Sequence, residues 1–159
     1  MKQIDSEKIK ELIKMLKSNS QTISIMESCT GGGLANAITN ISGASEILEF
    51  GAVTYSDQAK VSLGGSEMQS TIDLYSVYSK QTAEAMAKTI AKLTKSTYGI
   101  GITGQLEPEL NQVYFSIYES SNEEYDTVHL SLEDVGRAEN KEIIINKIIE
   151  RLLEVLKKS

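Results

Sequence analysis

Thr22-Ile23-Ser24-Ile25-Met26-Glu27-Ser28-Cys29-Thr30-Gly31-Gly32-Gly33-Leu34 joins a short alternating run to three consecutive glycines. Residues 22–26 alternate polar and apolar side chains and carry β-branched members, the pattern of a strand. The strand delivers Glu27 and Ser28 to its carboxyl end, and the glycines turn the chain into a helix carried by Leu34, Ala37, Ile38 and Ile41. A strand that passes through a glycine turn straight into a helix is a building block of α/β folds.

The flanking sequence repeats this alternation. Upstream, Ile9, Leu12, Ile13 and Leu16 have the i, i+3, i+4, i+7 spacing of an amphipathic helix, with Asp5 as its N-cap and Ile4 placed to staple against Ile9. Downstream, residues 50–55 read as a second strand, followed by a short helix capped by Ser56 and ended by Gly64-Gly65. After a loop with little pattern, Ser79 opens a long helix with Ala83, Met86, Ala87, Ile90 and Leu93 on one face. Residues 98–103 form a glycine-bearing strand, and residues 113–118 and 127–132 pair as an antiparallel hairpin across the polar segment 120–124. The last helix, from about Arg137, buries Ile145, Ile148, Ile149, Leu152 and Leu156. The expected fold is therefore α/β, a mixed β-sheet with helices packed on its faces in three α/β/α layers, as one domain over residues 1–159.

Composition narrows the function. With 22 acidic against 16 basic residues the formal charge is −6, which disfavours a nucleic-acid backbone or an anionic membrane as the main partner. No stretch approaches the ~20 apolar residues of a membrane span, and the charged start Met1-Lys2-Gln3-Ile4-Asp5 is unlike a signal peptide. The expected location is the cytoplasm. A single cysteine, Cys29, and a single histidine, His129, form neither a disulfide framework nor a metal-ligand cluster, so no metal and no cofactor are expected.

The chemistry concentrates at the glycine corner. A helix beginning there exposes unpaired N–H groups that stabilise a phosphate or an oxyanion, and an adjacent hydroxyl or thiol becomes a candidate nucleophile. The pattern is neither Walker A, nor GxSxG, nor GxGxxG. Three glycines equally permit a plain tight turn. Ser28 and Cys29 are rival nucleophiles. His129 shares a strand face with Thr127 and Ser131, opposite the apolar Val128, Leu130 and Leu132, which reads as a surface histidine rather than a base.

A base is then sought elsewhere. If Ser56 is an N-cap, Tyr55 and Lys60 occupy the two positions whose side chains meet in a staple. A desolvated lysine can activate a serine hydroxyl, and a tyrosine can orient or relay the proton. Taken alone, Lys60 reads as readily as a surface lysine. Thr103 and Gly104 end the glycine-bearing strand, where small residues suit either a ligand or a closely packed helix. Arg137 follows Gly136 and suits either a bidentate phosphate clamp or a solvated loop end.

Glu27-Ser28-Cys29-Thr30-Gly31-Gly32, then Gly51-Ala52-Val53-Thr54-Tyr55-Ser56-Asp57-Gln58-Ala59-Lys60, then Ile102-Thr103-Gly104 resemble the CinA C-terminal-domain family, over nearly the whole chain. Active members of this competence/damage-inducible family are nicotinamide mononucleotide deamidases. The resemblance implies a cytoplasmic, metal-independent amidohydrolase, often a homodimer, that converts the mononucleotide to nicotinate mononucleotide and ammonia. Carried onto matching positions, it implies Ser28 as nucleophile, Lys60 as base and Tyr55 assisting it. It further implies a substrate-binding set of Glu27, Cys29, Thr30, Gly31, Gly32, Thr103, Gly104 and Arg137, with Arg137 meeting the phosphate. The alternative is a family member without deamidase activity, serving as a nucleotide-binding or protein-interaction module.

One segment departs from the family pattern. Where the family carries a glycine- and proline-rich loop, this chain has the shorter Gln105-Leu106-Glu107-Pro108-Glu109-Leu110-Asn111-Gln112, whose Glu107 and Glu109 would repel a phosphate. A basic residue four positions after Arg137 is Lys141, which keeps the charge without the guanidinium fork. The family's N-terminal molybdopterin-binding-like domain has no counterpart in the 159 residues, which reads as a stand-alone version.

Overall fold

The strand β1 (Ile23–Glu27) is buried along its whole length, because it lies between two parallel neighbours and under helices on both faces. The computed structural model describes residues 3–158; Met1, Lys2 and Ser159, part of the expected 1–159 domain, lie outside the described residues. The order along the chain is α1 (Ser6–Ser18), β1, α2 (Gly33–Thr39), a 3₁₀ turn (Ala44–Glu46), β2 (Leu48–Val53) and α3 (Asp57–Tyr75). Then follow α4 (Lys80–Thr94), β3 (Tyr98–Glu107), β4 (Leu110–Glu119), β5 (Glu124–Ser131) and α5 (Arg137–Lys158). The expected caps are present: Asp5, Ser56 and Ser79 each accept a backbone N–H from the first turn of α1, α3 and α4.

The five strands are ordered β2-β1-β3-β4-β5. β1 runs parallel to both β2 and β3, while β3, β4 and β5 form an antiparallel meander, so the sheet is mixed as expected. On one face, Ile23, Ile25, Ile100, Ile102, Val113, Phe115 and Ile117 pack against the apolar stripes of α1, α2 and α5. On the other, Met26 meets Met68 of α3 and Met86 and Ile90 of α4. Ser24 also points to this second face, where its hydroxyl pairs with Thr94 Oγ1 at 2.7 Å and so is satisfied inside the core.

The glycines of β3 serve the approach of α4. A Cβ on Gly99 would lie 2.0 Å from the Ala87 carbonyl oxygen, and one on Gly101 would lie 2.2 Å from that of Ala83. Of the two uses that small residues on this strand suggest, close helix packing accounts for both positions.

Three elements differ from the sequence expectation. The short helix does end at Gly65, whose backbone is non-helical (φ 70°, ψ −155°), but the segment after it, expected as a loop, is a second helical stretch of α3 running to Tyr75. Its apolar residues show no 3.6-residue stripe, so periodicity could not reveal it; Met68, packed under α4, anchors it. Residues 105–112 are not a loop but the end of β3, a tight Pro108-Glu109 turn and the start of β4, paired from Gln105↔Gln112 to Glu107↔Leu110. Leu93, assigned to the buried face of α4, is exposed, because the last turn directs Ile90, Ala91 and Thr94 at the sheet and leaves Leu93 to the side.

Candidate active site

The end of β1 and the start of α2 are locked together by Glu27. Its buried carboxylate accepts the Thr30 hydroxyl at 2.6 Å, the Leu34 N–H at 3.1 Å and the Ala35 N–H at 2.9 Å. These amides are among the unpaired donors that a helix N-terminus offers, so the chain's own carboxylate fills the place anticipated for a substrate anion or an oxyanion. Glu27 and Thr30 face the helix and are closed to solvent. Gly31 and Gly32 both have positive φ (61° and 92°), which is how the chain reverses within two residues. A Cβ on Gly31 would lie 3.3 Å from Lys141 Nζ.

That tight turn leaves Ser28 facing the opposite way, toward α3, while Cys29 reaches the same cleft from the core packed under α1, α2 and α5. Ser28 is 7% exposed and lies beside Lys60, which is 1% exposed. Lys60 Nζ is 3.0 Å from Ser28 Oγ and 2.7 Å from the Thr54 carbonyl oxygen. The Thr54 amide in turn donates to the Glu27 carbonyl at 2.8 Å, which binds the end of β2 to the end of β1. Burial lowers the Lys60 ammonium below its ordinary value, with Asp57 and Cys29 opposing. A neutral amine has two protons and one lone pair. The Thr54 carbonyl takes one proton, and the lone pair is then available to the Ser28 hydroxyl.

Cys29 has the opposite character. Burial pushes its thiol up to about 12, and its own amide and Lys60 offset this only in part. A thiol so disfavoured from ionising is a poor nucleophile at neutral pH. His129 is exposed at the far end of the sheet, stacked on Tyr114 at 4.4 Å and paired with the Gln112 side chain.

Ser28, Cys29, Lys60, Tyr55 and Gly104 line one cleft of about 130 Å³ together with Asp57, Val77, Tyr78, Gln105, Leu106, Glu107 and Arg137. Tyr55 is 62% exposed, and its hydroxyl accepts from Arg137 Nη2 at 3.1 Å instead of converging on Lys60. Arg137 Nη1 donates to the Leu106 carbonyl at 2.8 Å and to Glu107 Oε1 at 3.0 Å. Thr103 is fully buried and donates to the Val77 carbonyl at 2.8 Å, so it positions the segment leading into α4 rather than the cleft wall. Lys141 does not line the cleft but a neighbouring groove between α1, α2 and α5 that shares Arg137 with it, and its ammonium lies at the Gly31 corner.

Sequence reading passed over Thr54, Asp57 and Tyr78. Thr54 contributes through a main-chain carbonyl, which no residue type announces. Asp57 enters from the first turn of α3, three residues before Lys60, and Tyr78 enters because α3 returns the chain toward the end of β3, a contact without a local signature. Among the described residues, no group of three or more His, Cys, Asp or Glu side chains could hold a metal ion, and no helix is long and apolar enough to cross a membrane.

Comparison with known proteins matches this arrangement to one family. The model of the CinA C-terminal domain matches residues 5–156. A CinA-like protein of Flavobacterium psychrophilum is 32% identical over 153 residues, 91% of this chain and 34% of its own length. The crystal structure of competence/damage inducible protein CihA from Agrobacterium tumefaciens superposes with a TM-score of 0.87 at 26% identity, covering 99% of both chains. A competence or damage-inducible protein from Enterobacter asburiae gives 0.85 at 25% identity, over 98% of this chain and 99% of that one. The chain spans between 22% and 34% of the length of the curated relatives it matches. The fold, the glycine corner and these likenesses agree: the chain belongs to the CinA C-terminal domain family.

Proposed function

We propose that the chain is an amidohydrolase acting on the carboxamide of a nicotinamide nucleotide, with Ser28 as nucleophile and Lys60 as general base. The observation that carries this reading is the 3.0 Å approach of a buried lysine amine to a serine hydroxyl at the wall of a cleft. The nucleotide itself, nicotinamide mononucleotide, rests on the family resemblance.

The chemistry follows from the two bonds of Lys60. Its neutral amine takes the Ser28 proton as Oγ attacks the carboxamide carbon, and the ammonium formed then protonates the departing nitrogen, releasing ammonia. Lys60, neutral again, takes a proton from water as the oxygen attacks the ester carbon. Returning that proton to Ser28 Oγ frees the carboxylate. The Thr54 carbonyl keeps the amine aimed throughout. Tyr55 acts at the mouth of the cleft rather than on the proton, since its hydroxyl is held by Arg137.

A second reading, a nucleotide-binding module without hydrolysis, is favoured by the Glu107 carboxylate already holding Arg137. Ammonia release from nicotinamide mononucleotide separates the two. Turnover lost in Ser28→Ala supports the amidohydrolase. An inactive wild type that is thermally stabilised by the mononucleotide supports the binding module.

A further inference from the structure

Arg137 is expected to meet a substrate phosphate, yet each end of its guanidinium is engaged within the protein. Nη1 is shared between Glu107 Oε1 and the Leu106 carbonyl, and Nη2 reaches the Tyr55 hydroxyl. Glu107 is brought there by the tight Pro108-Glu109 turn, since the paired ends of β3 and β4 fix its backbone beside Arg137 while its side chain stays 63% exposed. The cleft therefore presents two carboxylates, Asp57 and Glu107, against Arg137 and a Lys60 whose burial favours the uncharged amine. Two tyrosines, Tyr55 and Tyr78, complete its rim. Carboxylates and aromatic rings together suit a cation, and an N-ribosylated nicotinamide ring is one. A phosphate dianion is disfavoured in the same surroundings.

We propose that Glu107 is a specificity-determining residue that occupies the phosphate-binding fork of Arg137 and turns this site toward the N-ribosylated nicotinamide cation lacking a 5′-phosphate. The proposal rests on the amidohydrolase reading of the same cleft and names its substrate class. Glu107 competes with the phosphate for one guanidinium. Replacing it with a neutral side chain frees Arg137 for the mononucleotide and removes a negative charge that favours the riboside.

The test measures ammonia release from nicotinamide riboside and nicotinamide mononucleotide by the full chain, by Glu107→Gln and by Glu107→Gln/Arg137→Ala. The wild type should use the riboside at least as well as the mononucleotide in kcat/KM. Glu107→Gln should raise the mononucleotide-to-riboside ratio about tenfold or more, chiefly through KM, the scale of one charge-assisted hydrogen bond. Adding Arg137→Ala should return the ratio toward the wild-type value. A wild-type preference for the mononucleotide, or a ratio unmoved by Glu107→Gln, overturns the proposal. Thermal-shift binding of the same two compounds to Ser28→Ala and Ser28→Ala/Glu107→Gln separates this failure from failure of the amidohydrolase reading. If neither compound is hydrolysed but the riboside binds better and Glu107→Gln reverses the order, Glu107 keeps its role and the hydrolase is lost. Binding of neither, or selective binding of the mononucleotide, overturns the proposal.

Discussion

Lys60 Nζ lies 3.0 Å from Ser28 Oγ across 32 residues of chain, one group on the first helix turn after β2 and the other just past the end of β1. Parallel pairing of those two strands, from Ile23↔Leu48 to Glu27↔Val53, brings both chain ends to the same edge. On the proposed mechanism, removing either partner should abolish hydrolysis. Ser28→Ala and Lys60→Met are each expected to lower kcat/KM by about 10²–10⁴-fold, the usual worth of a positioned nucleophile–base pair. Ammonia release, with circular dichroism confirming the fold, measures this.

The pH dependence follows from the burial of Lys60. Folded Lys60 loses its proton below the ordinary 10.5 of the unfolded chain. On the proposed mechanism, in which the neutral amine acts as base, activity should rise with pH along a limb set by that lowered value. Between the lowered value and 10.5 the unfolded chain binds more protons, so this group makes stability rise with pH across that window. Below the lowered value the penalty for charging it is present in full. Lys60→Met should flatten the slope in urea titrations run across that window.

Glu27 is a positioning residue, and its loss should read as instability. Glu27→Ala strands the Thr30 hydroxyl and the Leu34 and Ala35 amides. At roughly 1–3 kcal/mol for each buried donor left unpaired, a loss of about 3 kcal/mol or more is expected. Glu27→Gln, which keeps an acceptor, should fall between it and the wild type in denaturant midpoint.

Cys29, with its thiol pushed up to about 12, should resist alkylation at neutral pH until the chain unfolds. Cys29→Ala should retain the activity of the wild type within a few-fold. Loss of turnover in that variant would move the nucleophile from Ser28 to its neighbour.

Gly101→Ala tests the seat of α4. The added methyl would lie 2.2 Å from the Ala83 carbonyl oxygen and 2.6 Å from the Ala87 nitrogen. Both are backbone atoms, so helix and sheet must separate, at a cost of about 1–3 kcal/mol or more. Thermal unfolding reads this directly.

Several features were legible in the sequence because they are local. The caps at Asp5, Ser56 and Ser79, the apolar stripes of α1 and α5, and the strand-glycine-helix corner depend on neighbours a few residues away. The scarcity of histidine pointed to a lysine base, and the structure places Lys60 beside Ser28. The second half of α3 escaped because its burial rests on Met68, with only the partly buried Ile72 beside it, rather than on a sustained repeating face.

Sequence by itself determined the α/β class, the mixed sheet and the family, since each is written in short-range periodicity and motif. Tertiary structure decided which of two possible uses each site residue has. The direction of a side chain depends on strands and turns distant in sequence. Glu27 turned inward to cap a helix, Thr103 turned to brace Val77, and Glu107 came across the hairpin to hold Arg137.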